Sequence, residues 1–254
     1  MFTLRLILLA FALLALNTHA SSAADIRVYS SGAPAEVVRV VAQKFSAATG
    51  HRVLVTSGTI VEIERKLAAG ETPDVIILPA PSIAALDTAG KLDGPSRTDI
   101  ARVGVGVAVR AGAPQPDIAS VDAIRKLLLD AHAIVQPDPV GGGFAGAQIA
   151  RMMTRLGVAD AVKPKVFYRF AIGGGTAAVA SGEAEIGLFN ISEILPALGV
   201  TLVGPLPPEL QSWITFAGAR LAGSAASEPA LAFLRALTDA SAGDAWRAGG
   251  FEPR

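Results

Sequence analysis

The chain has 254 residues, of which 51% are hydrophobic and 17% charged, and its basic and acidic side chains balance to a formal net charge of zero. The hydrophobic fraction is large enough for a substantial core, whereas the balanced charge excludes the basic field with which proteins hold nucleic acid. Cysteine is absent, which excludes disulfides and thiol chemistry.

The first 24 residues have the pattern of a secretory signal peptide. Arg5 precedes an unbroken apolar run at 6–16, and small residues follow as far as Ala24. The run is too short to span a bilayer, and cleavage after Ala20 or Ala24 fits its flanks, with an uncleaved anchor as the alternative. We therefore expect an exported protein in the periplasm, with no membrane-spanning segment in its mature form.

Strand and helix patterns alternate along the first half of the remaining chain. Runs rich in β-branched residues indicate strands, and apolar residues three or four apart indicate helices. The predicted elements are a strand at 26–31, a helix at 36–48, a strand at 52–57, a helix at 60–69, a buried strand at 74–78, a helix at 83–89, a long strand at 101–112 and a helix at 121–129. Gly104 and Gly106 interrupt the long strand, which suggests a crossing point.

A second run of strands and helices follows. Its predicted elements are a strand at 133–135, a glycine turn with a helix to 156, a strand at 165–170, a helix at 176–181, strands at 186–190, 201–204 and 212–221, and a helix at 228–240. Ser227 is the expected N-cap of the last helix.

This alternation predicts the α/β class with parallel sheets. The two runs meet near residue 104, and a return near 205–208 makes a second crossing. The pattern predicts two lobes, one formed by residues 25–104 and 212–254 and the other by residues 105–211. Ligands of such sheets bind at the carboxyl ends of strands, where helix N-termini point, so we expect the site in the cleft between the lobes.

The stretch VQPDPVGGGFAGAQIARMM contains a G-x-G-x-x-G match at Gly141, Gly143 and Gly146. A dinucleotide site also needs an acidic residue that ends the next strand, and Ala-Ile-Gly stands there instead. A P-loop is excluded because no Lys-Ser or Lys-Thr follows the glycines. Two interpretations remain: a tight turn that packs a helix closely, or an anion site built from backbone N–H groups and the helix dipole.

Three other turns between predicted strands and helices are rich in glycine or hydroxyl residues and poor in charge. They are SSGAP at 30–34, TSGTI at 56–60 and IGGGT at 172–176. Because all four turns follow predicted strands, we expect them to converge on one cleft.

Few charged or metal-binding candidates accompany these turns. His51 and His132 are isolated and no carboxylates cluster at ligand spacing, so no metal is expected. A Ser-His-Asp site lacks its G-x-S-x-G elbow. Arg65 and Arg169 are candidates for pairing with a carboxylate ligand, and solvated helix or strand ends are the alternative interpretation.

Five segments of the chain carry a family resemblance. They are IRVYSSGAPAEVVRVVAQKFSAATG, RKLAAGETPDVII, DPVGGGFAGAQIARMMTRLG, AAVASGEAEIGLFNISEIL and AWRAGGF. In their order and spacing the chain resembles a type II periplasmic solute-binding protein of the molybdate-binding type. The resemblance implies two lobes, each a mixed, mostly parallel sheet flanked by helices, joined by two hinge crossovers and closing on an anion. It also implies a monomer that needs no cofactor and delivers its ligand to an ABC permease of the inner membrane.

The resemblance further implies which residues contact the anion. Sites of this type use hydroxyl and backbone donors, because a fully deprotonated dianion only accepts hydrogen bonds. The implied contact residues are Ser30, Ser31 and Ala33 in the first turn, Ser57, Gly58 and Thr59 in the second, Ala145 and Gly146 at the glycine turn, Ile172, and Asn190. Ala33, Ile60 and Asn190 stand where the family has two serines and a tyrosine.

The leading hypothesis is therefore a binding protein for molybdate or tungstate. Because the family hydroxyls are replaced, two alternatives stay open. One is a binder of small carboxylates, with Arg65 or Arg169 as the charge partner. The other is an isomerase of a small tricarboxylate, resembling aconitate isomerase, which needs a positioned base that the sequence does not reveal.

Overall fold

The computed structural model describes residues 23–140 and 143–254. Gly141, Gly142 and all but the last two residues of the predicted signal peptide lie outside this range. In chain order the elements are β1 (Asp25–Ser31), α1 (Gly32–Thr49), β2 (Arg52–Gly58), α2 (Ile60–Ala68), β3 (Val75–Pro79), α3 (Ala80–Thr88), β4 (Thr98–Val103), β5 (Val105–Arg110), α4 (Val121–Asp130), β6 (Ile134–Gln136), α5 (Gly143–Arg155), α6 (Ala159–Val162), β7 (Val166–Tyr168), α7 (Thr176–Ser181), β8 (Ile186–Asn190), α8 (Ile191–Ile194), β9 (Val200–Pro205), β10 (Ile214–Arg220), α9 (Ser227–Thr238), α10 (Gly243–Ala248) and β11 (Glu252–Pro253).

Two mixed sheets organise these elements. The first has the strand order β11-β4-β10-β3-β1-β2 and the second the order β7-β6-β8-β5-β9. β1 is parallel to β2 and β3, and β6 is parallel to β7 and β8. The remaining pairs, which involve β4, β5, β9, β10 and β11, are antiparallel. The predicted α/β fold with two mixed sheets is confirmed.

Helices cover both faces of the first sheet, as the apolar sequence of β3 predicts. Alternate residues of that strand enter different apolar clusters: Val75 and Ile77 join one, and Ile76 and Leu78 join the other. The same alternation divides the second sheet between two clusters. Each sheet therefore has its own core on each face.

The chain passes between the sheets at two places, which lie side by side. Gly104 separates β4 from β5, so the long strand predicted at 101–112 is wrong and consists of two strands in different sheets. The return follows β9, and Gln211 binds there to the first crossing. Its amide accepts from Val105 N at 2.8 Å and donates to Val105 O at 2.9 Å. A Cβ on Gly104 would meet this amide at 2.6–2.7 Å, so a larger residue would have to displace the Gln211 side chain from its bonds to Val105.

Two helix starts illustrate how element boundaries differ from the sequence pattern. The first helix begins at Gly32, four residues before the predicted start, because Ala33, Pro34 and Ala35 continue the helix from its first turn. Ser227 is the first residue of α9 and not its N-cap, a position that Ala226 occupies without a side-chain hydrogen bond.

Candidate functional site

The parallel strands end where three helices begin. Ser31 ends β1 opposite Gly58 of β2, and α1 follows directly. In the second sheet, Gln136 ends β6 before α5, and Asn190 ends β8 before α8. These are the positions at which ligands bind on sheets of this kind.

The helix N-termini of the two sheets meet in one apolar cluster. Ala33 of α1, Phe144 and Ala145 of α5, and Ile191 of α8 all pack in the main cluster of the first sheet. The chain end approaches the same place, because a Cβ on Gly250 would lie 2.8 Å from Ile191 Cγ2. We call this meeting point the interlobe site; its polar members are Ser31, Gln136, Asn190 and Ser192.

All four polar members have a buried side-chain atom without a hydrogen-bond partner. The atoms are Ser31 Oγ, Gln136 Oε1, Asn190 Oδ1 and Ser192 Oγ, and Gln148 Oε1 on α5 is in the same state. Ser31, Gln136 and Asn190 are only 6%, 2% and 7% exposed. Buried polar groups are almost always hydrogen-bonded, and leaving one unpaired costs about 1–3 kcal/mol. This concentration of unpartnered atoms at the strand ends makes the region the candidate binding site.

The first turn leaves one of its two hydroxyls available. Ser30 is fully buried and donates to Ser31 O at 3.0 Å. Ser31 is the N-cap residue of α1, yet its side chain makes no capping bond. Its hydroxyl therefore lies beside an uncapped helix N-terminus, next to Ala33.

The second turn uses its donors internally. Thr59 caps α2 in a capping box: its backbone N–H donates to Glu62 Oε2 at 2.8 Å and its hydroxyl to the same atom at 3.0 Å. These bonds lower the pKa of Glu62. The Ser57 hydroxyl accepts from Arg39 at 2.8 Å, and Gly58 lies under the Glu62 carboxylate. A negative charge already occupies this helix N-terminus.

The glycine stretch packs a helix against backbone. Ala145 is 4% exposed and lies in the main apolar cluster of the first sheet. A Cβ on Gly146 would collide with the Asp138 carbonyl and lie 2.8 Å from Pro137 O. The third glycine of the match thus lets α5 begin directly over the end of β6. The Ile172 side chain in the fourth turn lies outside what is described, and Gly175 in that turn packs on the Phe189 ring.

The side chains of both arginine candidates are directed elsewhere, although the Arg169 backbone N–H donates to Gln136 O at 3.0 Å. The two terminal nitrogens of the Arg169 guanidinium group donate to the Glu183 carboxylate at 2.7 Å, and the group lies over the Phe167 ring. This contact raises the pKa of Arg169. Arg65 is exposed in the last turn of α2, at the end of the helix remote from the strand ends.

Sequence reasoning missed Gln136, Ser192 and Glu193. Gln136 is a polar residue at the end of an otherwise apolar strand, and this change in polarity is the sequence signal that could have found it. Glu193 stands three residues after Asn190, and the nearby Asn190 backbone and side-chain N–H groups lower its pKa. Burial raises the pKa of Glu193 more than these two hydrogen bonds lower it.

Other kinds of site find little support over residues 23–140 and 143–254. No helix in that range is long and apolar enough to cross a membrane, and no group of three potential metal ligands occurs there. A surface cavity of about 320 Å³ lies away from the strand ends, lined by Arg151, Thr154, Arg155 and Ser212.

Known proteins resemble this chain over nearly all its length. An aconitate isomerase of a Pseudomonas species is 29% identical over 90% of this chain and 87% of its own. The substrate-binding domain of a putative molybdenum ABC transporter from Clostridium difficile superposes with a TM-score of 0.78, at 16% identity, covering 91% of this chain and 99% of that one. The periplasmic molybdate-binding protein of Azotobacter vinelandii gives 0.71, at 20% identity, covering 89% and 98%.

These folds agree with the two sheets described above. The sequence profile of one family matches residues 26–252, which is almost the whole described chain. The chain belongs to the bacterial extracellular solute-binding proteins.

Proposed function

We propose that the protein holds a small anion between two lobes in the periplasm and delivers it to an ABC permease of the inner membrane. The lobes are residues 25–104 with 212–254, and residues 105–211, hinged at the paired crossings near Gly104 and Gln211. Residues 1–24 direct export, and the mature protein acts as a monomer.

The proposal rests on the buried, unpartnered hydroxyl of Ser31. It lies at the N-terminus of the 18-residue helix α1, where the helix dipole favours negative charge. Ser192, on the facing lobe, has a second buried hydroxyl without a partner. An anion between them would accept from both hydroxyls and from backbone N–H groups, without a cationic side chain.

Two observations favour a small organic acid over molybdate or tungstate. Gln136 and Asn190 have buried, unpartnered carbonyl oxygens, which need a ligand that carries a hydrogen-bond donor; a fully deprotonated tetrahedral oxyanion has none, whereas an organic acid with a hydroxyl group does. The similarity to an aconitate isomerase points to carboxylates as well. Arg169 is not needed as the charge partner, because its guanidinium group is already paired with the Glu183 carboxylate.

A second candidate function is isomerisation of an unsaturated tricarboxylate. Such a reaction removes a proton from one carbon and returns it to another, which requires an acid–base group beside the substrate. Glu193 fits this role, because it lies close to Asn190 and burial raises its pKa.

A thermal-unfolding screen tests both functions on the exported form of the chain. The probes are molybdate, tungstate, sulfate, phosphate, citrate, cis-aconitate and trans-aconitate. A ligand at about 100 times its Kd adds roughly 2.7 kcal/mol of stability, which raises the Tm by about 5–10 °C in a protein of this size. We expect citrate, which carries a hydroxyl group, to give the largest shift, and no shift with any anion would overturn the proposed function.

Proton NMR of each aconitate isomer with the protein tests the isomerase. Appearance of the other isomer, abolished by Glu193→Gln with binding retained, would establish the enzyme. Binding of aconitate without conversion would restrict the protein to transport.

A further inference from the structure

Two amide side chains lie on one face of the second sheet, at adjacent strand ends. In the register of β6 and β8, Gln136 stands opposite Leu188, two residues before Asn190. Ile134 and Leu188 pack in the same apolar cluster. Because alternate residues of a strand share a face, Gln136 and Asn190 extend that face toward the interlobe site.

Both amides are more than nine-tenths buried, and both leave the carbonyl oxygen unpartnered. A buried amide oxygen without a donor is costly, and neither the cap of α8 nor the sheet supplies one. These two oxygens are therefore buried acceptors to which no group of the protein donates.

Glu193 decides which end of the Asn190 amide faces the site. Its carboxylate lies beside the Asn190 side-chain N–H, which places the amide nitrogen on the side of Glu193. The carbonyl oxygen, on the other arm of the planar amide, has no partner. An amide free to turn would offer either group, but this one is held as an acceptor.

We propose that Gln136 and Asn190 make the interlobe site selective for organic acids that carry a hydroxyl group. The hydroxyl donates to the paired amide oxygens, while the carboxylates accept from Ser31, Ser192 and the helix N-termini. Acids without the hydroxyl, and fully deprotonated tetrahedral oxyanions, leave these oxygens unpaired in the closed site. The proposal rests on the proposed function, since it names the class of anion that the same site binds.

Isothermal titration calorimetry with matched acids tests this selectivity. Citrate and tricarballylate differ by one hydroxyl, as do malate and succinate. Because a site built around a hydroxyl discriminates strongly against an analogue without it, we expect the hydroxy acid to bind at least about tenfold more tightly within a pair. Equal affinity within both pairs would overturn the proposal.

Four variants identify the residues responsible. Gln136→Met and Asn190→Leu preserve volume but remove the acceptor, so each should reduce the affinity ratio within a pair toward one. Glu193→Leu should also reduce the ratio, because it frees the Asn190 amide to turn. Glu193→Gln keeps an oxygen that accepts from Asn190 and should keep the ratio, which separates positioning from a loss of fold. A ratio unchanged in Asn190→Leu and Gln136→Met would contradict the assignment.

The outcomes separate this inference from the proposed function. Tight binding of molybdate with no binding of the four acids overturns the selectivity and leaves an anion-binding protein. No binding of any oxyanion or acid overturns both.

Discussion

The turns after β1 and β2 look alike in sequence and differ in what they leave unsatisfied. The two strands are parallel neighbours, with Ser31 opposite Gly58, and both turns contain serine and glycine before a helix. In the second turn Thr59 and Glu62 satisfy each other. In the first, the Ser31 hydroxyl is buried with no partner. The contrast supports the first turn, rather than the second, as part of the proposed ligand site.

The residue three positions into each helix accounts for this difference. Thr59-Ile60-Val61-Glu62 is the capping-box pattern, in which an acidic side chain returns to the helix N-terminus. The corresponding residue after Ser31 is Pro34, which has neither a carboxylate nor an N–H group. Because the Glu62 carboxylate already occupies the second turn, it would repel a second anion there.

The largest expected effect comes from adding one methyl group where the interlobe helix α5 begins. Gly146→Ala places a Cβ against the Asp138 carbonyl, a backbone group that cannot move aside. We expect a loss of about 1–3 kcal/mol in the free energy of unfolding, because overpacking strains the backbone. Urea denaturation measures this loss.

Gly58→Ala in the self-satisfied turn is the matched control. Its Cβ would meet only the end of the flexible Glu62 side chain, at 3.0 Å. It should cost much less than Gly146→Ala, and equal losses would contradict the close-packing role of Gly146.

Removing the hydroxyl from each turn should separate binding from stability. Ser31→Ala takes away a donor that has no partner in the free protein, so the free energy of unfolding should hold or rise. The affinity for citrate should fall by about tenfold or more, since a hydrogen bond to a charged group is worth about 1.5–3 kcal/mol. Calorimetry measures the affinity, and Ser57→Ala, whose hydroxyl contacts Arg39 on the surface, should leave it unchanged. Similar affinity losses in both variants would remove the distinction between the turns.

Thr59→Ala should have the reverse effect. It removes the cap of α2, which costs about 1 kcal/mol of stability. Citrate affinity should stay the same, because this turn binds its own carboxylate. A weakened affinity would show that the second turn also contacts the ligand.

Most of the fold was accessible from hydrophobic periodicity. The continuous apolar run of β3 and the helical spacing along α1 each match a buried element. The sequence also indicated the crossing at Gly104. The two strands beside it were nevertheless predicted as a single strand, because both are apolar and rich in β-branched residues. Only the pairing of β4 and β5 with different sheets reveals two strands, and pairing depends on contacts distant in sequence.

The site was less accessible than the fold. Turn composition pointed to Ser31 and the family resemblance to Asn190, but neither could show which hydroxyls and amides already have partners. Thr59 and Arg169 have the right chemistry and are engaged by Glu62 and Glu183. The Arg169 pairing joins residues 14 apart across a turn, and no local pattern indicates it.

The glutamates in the first turns of α2 and α8 should respond to pH in opposite directions. Glu62 and Glu193 are each the third residue of a helix, after Thr59 and Asn190. Hydrogen bonds from Thr59 lower the pKa of Glu62, so its stabilising effect is present at neutral pH and is lost as the pH falls through that lowered value. Burial raises the pKa of Glu193, so its contribution is present below the ordinary pKa of glutamate and is lost as the pH rises through the raised value.

Replacing each carboxylate by an amide should reveal these opposite signs. Glu62→Gln should lower the Tm at neutral pH, with the deficit shrinking on acidification. Glu193→Gln mimics the protonated acid, so its Tm relative to the unchanged protein should increase as the pH rises above the ordinary glutamate value of about 4.3. Thermal unfolding between pH 3.5 and 8 measures both. Parallel slopes would mean that Glu193 is as well hydrated as Glu62, and a hydrated Glu193 would be neither a poised acid–base group nor a buried support for Asn190.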